Sequence, residues 1–365
     1  MFSYDPLVVR FGGLGDMVLL TPLLRLLHRR YRQPCRVMGS GSWLEPLLDG
    51  HPDVQAVLTV AHVERPYWLD ATQREAAQCL RMRSPGAVYV CDDTAGAGAR
   101  RLLRHAGVLE DQCRFADLDC PRRDGEHWID RWRRFAEMTP PAFAPSRFGA
   151  GTRRPADPCL VLNAGDREDL AEWLARRALA QAKIIVLQPD SGRAPGGGRD
   201  GSSGGWPRAN WGALIRALLA DPADFTVVAC GTDADLDLGS LAGSPRIRAV
   251  GDDLPLRRFM ALCEYADAMI SVDSGCVQVA AALGCPLIVL YGARPPSLWC
   301  PPGASGSAVV ALGGPPARSR IDEITLDEVL AAWQGLRVRG DASAPANRTG
   351  SLRGAHGRPV RGVPQ

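Results

Sequence analysis

Two glycine-containing turns carry the side chains of this sequence that are best suited to chemistry. The first is the stretch 12–16 (GGLGD), where a short apolar segment gives way to a helical pattern. Glycines let a backbone approach a ligand closely and adopt positive φ. Asp16 then stands at a helix start, where a carboxylate can take the proton of a hydroxyl that attacks an anomeric carbon. A first-turn Asp also stabilises its helix by about 1 kcal/mol, and position alone favours that structural role.

The second turn lies in the stretch 270–278 (ISVDSGCVQ), where a buried strand again leads into a helix. Asp273, Ser274 and Gly275 occupy the turn, and the N–H groups of residues 274–276 would point out of the helix N-terminus, an arrangement that suits a diphosphate. A simple N-cap has the same pattern, but two such turns in one chain favour a binding site. Neither turn has GxGxxG spacing, so a dinucleotide site is unsupported.

Alternating strands and helices have to position these turns. In the first half we predict strands at 7–11, 36–38, 54–60 and 87–91, and helices at 16–31, 72–83 and 99–106. In the second half we predict strands at 160–162, 184–188, 225–229, 247–250, 268–272 and 287–290, and helices at 167–181, 211–219, 256–265, 275–283 and 326–333. Pro22 lies inside the first helical pattern and predicts a later start or a kink.

This alternation is typical of an α/β protein with parallel sheets covered on both faces. We predict two Rossmann-like, doubly wound domains, at 1–165 and 166–339, that face each other across a cleft. A Pro-, Ala-, Arg- and Gly-rich stretch at 139–158 separates them, and residues 340–365 have the composition of a disordered tail. The carboxyl ends of both sheets would border the cleft, where such folds bind ligands.

Composition limits the function classes. A net charge of +3 is too small to indicate nucleic acid or a membrane surface as a partner. Lys183 is the only lysine, so any cation that binds phosphate is expected to be an arginine. The 11 cysteines include no CxxC pair, which disfavours a zinc site or a disulfide framework and favours buried thiols in the cytoplasm. Charged residues interrupt the apolar stretch 7–27, so no membrane span is expected.

Five stretches, in order, resemble the heptosyltransferases of glycosyltransferase family 9. They are 8–24 (VVRFGGLGDMVLLTPLL), 88–103 with VYVCD and RRLL, 187–211 with LQPDSG and WP, 272–284 with VDSG and AAALG, and 291–301 with YGA. The resemblance implies the GT-B fold and makes Asp16 the catalytic base. It also implies a donor site at Ser191, Asp235, Asp273, Ser274, Gly275, Gln278 and Arg294, and an acceptor site that includes Gly13, Asp92 and Asp93.

Three departures from the family pattern bear on the substrates. Gly204 stands where the family usually has a Lys, and Gln278 stands where it usually has a His. An expected cation near Gly98 is also missing, which indicates a less anionic acceptor. Another arginine, at 193, 199 or 294, would then have to stabilise the leaving diphosphate, since a guanidinium binds phosphate oxygens well.

Two further candidates remain open from position alone. Asp92 and Asp93 at a strand end could bind sugar hydroxyls or amines, or could serve only as helix caps. Asp235 could bind the ribose diol of the donor, or could be an exposed carboxylate at a helix start.

We therefore expect an inverting transfer of a heptose-type sugar from ADP-heptose to a hydroxyl of a non-anionic sugar or aminocyclitol acceptor. No convincing Asp-x-Asp metal motif is present, so no metal and no cofactor is expected. The first alternative is a transferase of the same fold that uses another nucleotide sugar on a small secondary metabolite. The second is a non-catalytic module that binds a nucleotide sugar. A nucleotide-dependent oxidoreductase is disfavoured by the missing GxGxxG motif.

Overall fold

Two parallel β-sheets, one in each half of the chain, form the framework of the computed structural model. The structure describes residues 5–93, 96–143, 157–189, 205–230, 239–241, 243–250 and 254–343. Most strands are buried on both faces, as expected for parallel sheets that carry helices on each side. The predicted α/β class with two doubly wound units is confirmed.

The first sheet is built from β1 (Leu7–Arg10), β2 (Cys35–Gly39), β3 (Val54–Thr59), β4 (Val88–Val90) and β5 (Cys113–Phe115). Their spatial order is β3-β2-β1-β4-β5, and every neighbouring pair is parallel. The chain order reverses between β1 and β4, so the loops that follow these two strands diverge and leave a crevice at the sheet edge.

Six helices of the first half are described: α1 (Leu14–Tyr31), α2 (Leu44–Leu48), α3 (Ala71–Met82), α4 (Gly96–His105), α5 (Ala116–Asp119) and α6 (Trp128–Ala136). Single 3₁₀ turns lie at Tyr67–Leu69 and Glu110–Gln112. Strand β5 and helices α2, α5 and α6 were not predicted from the sequence.

The second sheet is built from β6 (Lys183–Gln188), β7 (Phe225–Cys230), β8 (Ile247–Val250), β9 (Ala268–Val272), β10 (Leu287–Tyr291) and β11 (Val309–Gly313). Its order is β11-β10-β9-β6-β7-β8, again with parallel pairs. This is the order of dinucleotide-binding folds, and its reversal point lies between β6 and β9.

The described helices of the second half are α7 (Ala164–Arg176), α8 (Arg208–Leu219), α9 (Leu256–Tyr265), α10 (Gly275–Ala282), α11 (Pro296–Trp299) and α12 (Leu326–Ser343). Short 3₁₀ turns lie at Gly239–Leu241, Ala304–Gly306 and Ile321–Glu323. Among all helices of the described ranges, none has the length and apolar character that crossing a membrane requires.

Two predictions at the junction of the halves are wrong. Residues 160–162 form no strand; they are an extended connection. The following helix begins at Ala164 instead of residue 167, because Asn163 and Asp166 cap it reciprocally: each backbone N–H donates to the other side chain, at 2.7 and 2.9 Å. Helix α7 therefore straddles the predicted division at 165/166, and that division stays a prediction.

The predicted tail begins too early. Helix α12 continues to Ser343, so residues 340–343 are helical and not disordered. The remaining residues of the predicted tail, 344–365, lie outside the described part of the chain.

Helix α1 is continuous across Pro22, and the predicted late start is wrong. Proline has no N–H, so the carbonyl of Val18, four residues earlier, loses its helical partner. The hydroxyl of Thr21 donates to that carbonyl at 2.7 Å. The hydroxyl oxygen of Thr21 in turn accepts the backbone N–H of Cys159 at 3.0 Å. This hydrogen bond attaches the connection between the two halves to α1.

Replacing Thr21 with Val removes both hydrogen bonds and keeps the side-chain shape. We expect Thr21→Val to lower the free energy of unfolding by about 1–3 kcal/mol, because buried polar groups lose their partners. Urea unfolding measures this loss. In a Pro22→Ala background the loss should be smaller, since the restored N–H at position 22 reaches the Val18 carbonyl. Equal losses in both backgrounds would show that Thr21 does not compensate for the proline.

Candidate active site

The reversal points of the two sheets face each other, and helices α1 and α10 meet between them. A Cβ atom placed on Gly15 would lie 3.1 Å from the Cα of Gly275, and one placed on Gly275 would lie 3.0 Å from the backbone N of Gly15. Such distances leave no room for a side chain at either position. The two helix N-termini are therefore packed backbone against backbone.

Asp16 lies in the first turn of α1, one residue beyond this contact. One carboxylate oxygen accepts the N–H of Gly13, the N-cap of α1, at 2.9 Å. The other lies 3.2 Å from a terminal nitrogen of Arg10. The side chain is 24% exposed, so a ligand can still reach it. Asp16 thus caps its helix and also presents a carboxylate at the cleft.

Gly12 makes the approach of Asp16 and Arg10 possible. A Cβ at this position would lie 2.7 Å from a carboxylate oxygen of Asp16 and 2.8 Å from the Nε of Arg10. Gly13, predicted to contact the acceptor, supplies the N–H that holds Asp16.

Asp92 and Asp93 follow β4 in the crevice of the first sheet, but both are already engaged. Both oxygens of Asp92 accept the N–H of Phe11, at 2.9 and 3.0 Å, and the side chain is only 3% exposed. Asp93 makes two hydrogen bonds of 2.7 Å with the guanidinium of Arg131. The Asp92 carboxylate is thus buried against Phe11, whereas that of Asp93 is paired with Arg131 and 38% exposed, and their predicted contact with an acceptor stays a prediction.

The two carboxyl groups have opposite pKa shifts. Burial raises the pKa of Asp92 to about 6, although the nearby Arg10 and the Phe11 N–H oppose the shift. The hydrogen bonds from Arg131 hold the pKa of Asp93 below its usual value. Two neighbouring aspartates therefore ionise at well-separated pH.

The sequence analysis missed the arginine and tryptophan side chains that surround these carboxylates. Arg10 and Arg131 both lie near the rings of Trp128 and Trp132, at 5.1–5.8 Å from their centroids. The apolar spacing in α6 (Trp128–Ala136) is helical and could have predicted this helix. Arg10 inside a buried strand was the other available signal. Because buried charges are paired, it could have predicted a nearby carboxylate partner.

In the second half, Asp273 follows β9 at the reversal point of the sheet. Its carboxylate lies 3.7 Å from a terminal nitrogen of Arg294. Burial raises the pKa of Asp273, and Arg294 partly opposes the shift. The Arg294 side chain is 46% exposed and lies 4.9 Å from the ring centroid of Trp299. Ser274 is the N-cap of α10, and Gly275 is its first residue.

Gln278, predicted to bind the donor, contacts the protein itself. Its side-chain nitrogen donates to the carbonyl of Trp299 at 2.7 Å, and a Cβ on Gly15 would lie 3.1 Å from its Cγ. The side chain therefore fills the space between α1 and the carboxyl end of α11 at Trp299.

A second contact joins the halves beside Gln278. The rings of Trp128 and Trp299 lie 5.2 Å apart between centroids, and the Nε2 of His127 lies 3.0 Å from the carbonyl oxygen of Cys300. The face of α1 and the start of α6 thus both contact the second half.

Two predicted donor residues, Ser191 and Asp235, lie outside the described residues, as do Arg193, Arg199 and Gly204. Within the described ranges no group of three His, Cys, Asp or Glu side chains is arranged to hold a metal ion.

The raised pKa of Asp92 has a consequence for stability. Between about pH 4 and pH 6 the folded protein binds more protons at Asp92 than the unfolded chain does, so this residue lowers stability as the pH rises through that window. Asp92→Asn removes the effect. We expect the free energy of unfolding of the variant, relative to the parent, to increase by on the order of 2–3 kcal/mol between pH 4 and pH 7. Denaturant unfolding at several pH values measures it, and a pH-independent difference would contradict the assignment.

Known proteins resemble this chain in sequence and in fold. A sequence model described as Glycosyltransferase family 9 (heptosyltransferase) matches residues 164–322. Lipopolysaccharide heptosyltransferase 2 of Escherichia coli (strain K12) is 23% identical over 317 residues, which cover 84% of this chain and 87% of that protein.

Two solved structures have the same fold. The E. coli ADP-heptose lps heptosyltransferase II superposes with a TM-score of 0.66 at 21% identity, covering 92% of this chain and 99% of that one. The E. coli heptosyltransferase WaaC with ADP-2-deoxy-2-fluoro heptose superposes with a TM-score of 0.60 at 16% identity, covering 91% and 99%. The chain is thus similar to the heptosyltransferases of glycosyltransferase family 9 and has the GT-B fold of their solved structures.

Proposed function

We propose that this enzyme transfers a heptose-type sugar from an ADP-linked donor to a hydroxyl of its acceptor, with inversion at the anomeric carbon. One observation carries the proposal: the contact between Gly15 and Gly275 brings the Asp16 carboxylate and the N-terminus of α10 to the same part of the cleft. A base and a phosphate-binding turn are the two elements that a direct displacement requires.

Asp16 is the proposed general base. The Gly13 N–H holds its carboxylate, and partial exposure leaves it accessible to an acceptor hydroxyl. The base removes the hydroxyl proton as the oxygen attacks the anomeric carbon, while the bond to the diphosphate breaks on the opposite face. One such displacement inverts the configuration.

The N-terminus of α10 is the proposed diphosphate site. The first N–H groups of a helix have no partner within the helix and lie at the positive end of its dipole, so they favour an anion. Arg294, close to Asp273, adds a cation beside this turn. The choice of ADP is supported by WaaC, whose structure contains an ADP-linked fluoro heptose.

The proposed acceptor is non-anionic, and the packing of α4 supports this more directly than Asp92 and Asp93 do. A Cβ on Gly98 would lie 2.8 Å from the carbonyl oxygen of Val63 and 3.0 Å from the Oε1 of Glu64. A cationic side chain does not fit there, and a carboxylate is present in its place. Exposed Arg122, 5.6 Å from the ring of Trp128, acts in the opposite direction.

The alternatives differ from this proposal in measurable ways. A transferase for another nucleotide sugar would bind UDP or dTDP instead of ADP. A non-catalytic module would bind the donor without turnover. The geometry of Asp16 favours catalysis, since its carboxylate remains partly exposed at the cleft.

Asp16→Asn keeps the hydrogen bond from Gly13 but removes the basic oxygen. We expect transfer from ADP-heptose to fall at least about 100-fold, because general base catalysis contributes roughly that much or more. Calorimetric titration should show ADP affinity within a few-fold of the parent. A matched control is Asp166→Asn. Asp166 is the equivalent first-turn carboxylate of α7, where it likewise caps its helix and pairs with an arginine, Arg257.

The control should lose stability and keep turnover. Substantial transfer by Asp16→Asn would return Asp16 to the role of a helix cap alone. Binding of UDP or dTDP without binding of ADP would favour the first alternative.

The acceptor proposal is tested by competition. With the same ADP-heptose donor, we expect faster transfer to an amino sugar or aminocyclitol than to an acidic ulosonic acid. Glu64→Gln should narrow this preference about five-fold, since an exposed charge pair contributes roughly 1 kcal/mol or less. Faster transfer to the acidic acceptor by the parent enzyme would show that the proposed acceptor class is wrong.

A further inference from the structure

Arg10 has contacts that neither helix capping nor the proposed chemistry accounts for. Its side chain is only 10% exposed, at the carboxyl end of β1. One terminal nitrogen donates to the carbonyl of Cys91 at 2.5 Å and lies 3.8 Å from Asp92. The other terminal nitrogen lies 3.2 Å from Asp16. A single planar guanidinium therefore lies between two carboxylates from different loops of the crevice.

The surroundings hold this guanidinium in place. Its carbon lies 5.8 Å from the ring centroids of both Trp128 and Trp132, and arginine side chains stack well on aromatic faces. Gly12 leaves space on the other side only because it has no Cβ. Arg10 can neither swing into solvent nor move away from Asp16 without disturbing these contacts.

We propose that Arg10 is a positioning residue for Asp16, tying the carboxylate of the base to Asp92 and to the Cys91 carbonyl at the end of the neighbouring strand. The inference rests on the proposed function, in which Asp16 is the base. Arg10 fixes the orientation of that carboxylate, while Asp92 balances the charge of Arg10.

Charged side chains from several elements surround Arg10, Asp16 and Asp92. The charged groups that face this trio are Asp16 on α1, Asp92 and Asp93 after β4, Arg131 on α6 and Arg122 before α6. Arg131 is paired with Asp93. Arg10 and Asp92 therefore remain as the charges with opposite and separable effects on Asp16.

The test is the pH profile of kcat/KM for transfer from ADP-heptose. Arg10→Gln removes a positive charge, and we expect the acidic limb to move up by about one pH unit and kcat to fall about 10- to 100-fold. Because burial raises the pKa of Asp92 to about 6, this residue is mostly neutral below about pH 5, and Asp92→Asn should leave the acidic limb close to that of the parent. The double variant should have the limb of Arg10→Gln alone.

Further variants separate this role from folding. Arg10→Lys keeps the charge but lacks the planar fork, so it should restore the limb while kcat stays low. Arg36→Gln breaks another buried arginine–aspartate pair of the same sheet, Arg36 with Asp5, and should lower stability without moving the limb. ADP affinity, measured by calorimetry, should stay within a few-fold for all variants.

The two proposals can fail independently. If Asp16→Asn is inactive but Arg10→Gln leaves the limb unchanged, then Arg10 does not position the base. If Asp16→Asn is active, the base assignment itself is wrong.

Discussion

The close approach of two glycines, Gly15 and Gly275, is the constraint on which the arrangement of the site depends. Because α1 and α10 touch through backbone atoms, the residues beside the contact, Asp16 and Ser274, have fixed places relative to each other. Two positive helix ends brought this close repel each other unless negative charge lies between them. The Asp16 carboxylate supplies part of that charge, and a bound diphosphate would supply more. The geometry that joins the halves thus also favours an anionic ligand.

Charge in the first half of the chain is balanced by pairing. Asp93 is matched by Arg131, and Asp92 together with Asp16 is matched by Arg10, with two tryptophan rings excluding water from the guanidinium groups. An isolated buried carboxylate would be costly, and Arg10 together with the Phe11 N–H partly opposes the rise that burial causes in the pKa of Asp92. Adjacent carboxylates in a sequence therefore say little about the sign of a pocket until their partners are known.

The sequence predicted the elements that carry long apolar runs and the turns between them. Strand β9 and helix α9 were predicted with their observed bounds. The resemblance to the family depended on five stretches in order, of which the two turns are only a part. Strand β5 was missed because three residues with Arg114 in the middle show no apolar pattern. The partners of Asp92 were missed because Arg131 lies far along the chain, and no local pattern records a contact made only by folding. Ser191 and Asp235 stay predictions.

The tryptophan pair between the halves has a spectroscopic consequence. Trp128 lies in the first half of the chain and Trp299 in the second, yet their ring centroids are 5.2 Å apart, with an angle of 50° between the ring planes. Two indoles at that distance couple their electronic transitions, and the coupling disappears steeply with separation. Any hinge motion that parts the halves must break this coupling and expose both rings to water. The Trp128–Trp299 pair therefore gives an intrinsic optical signal that depends on the contact between the two halves.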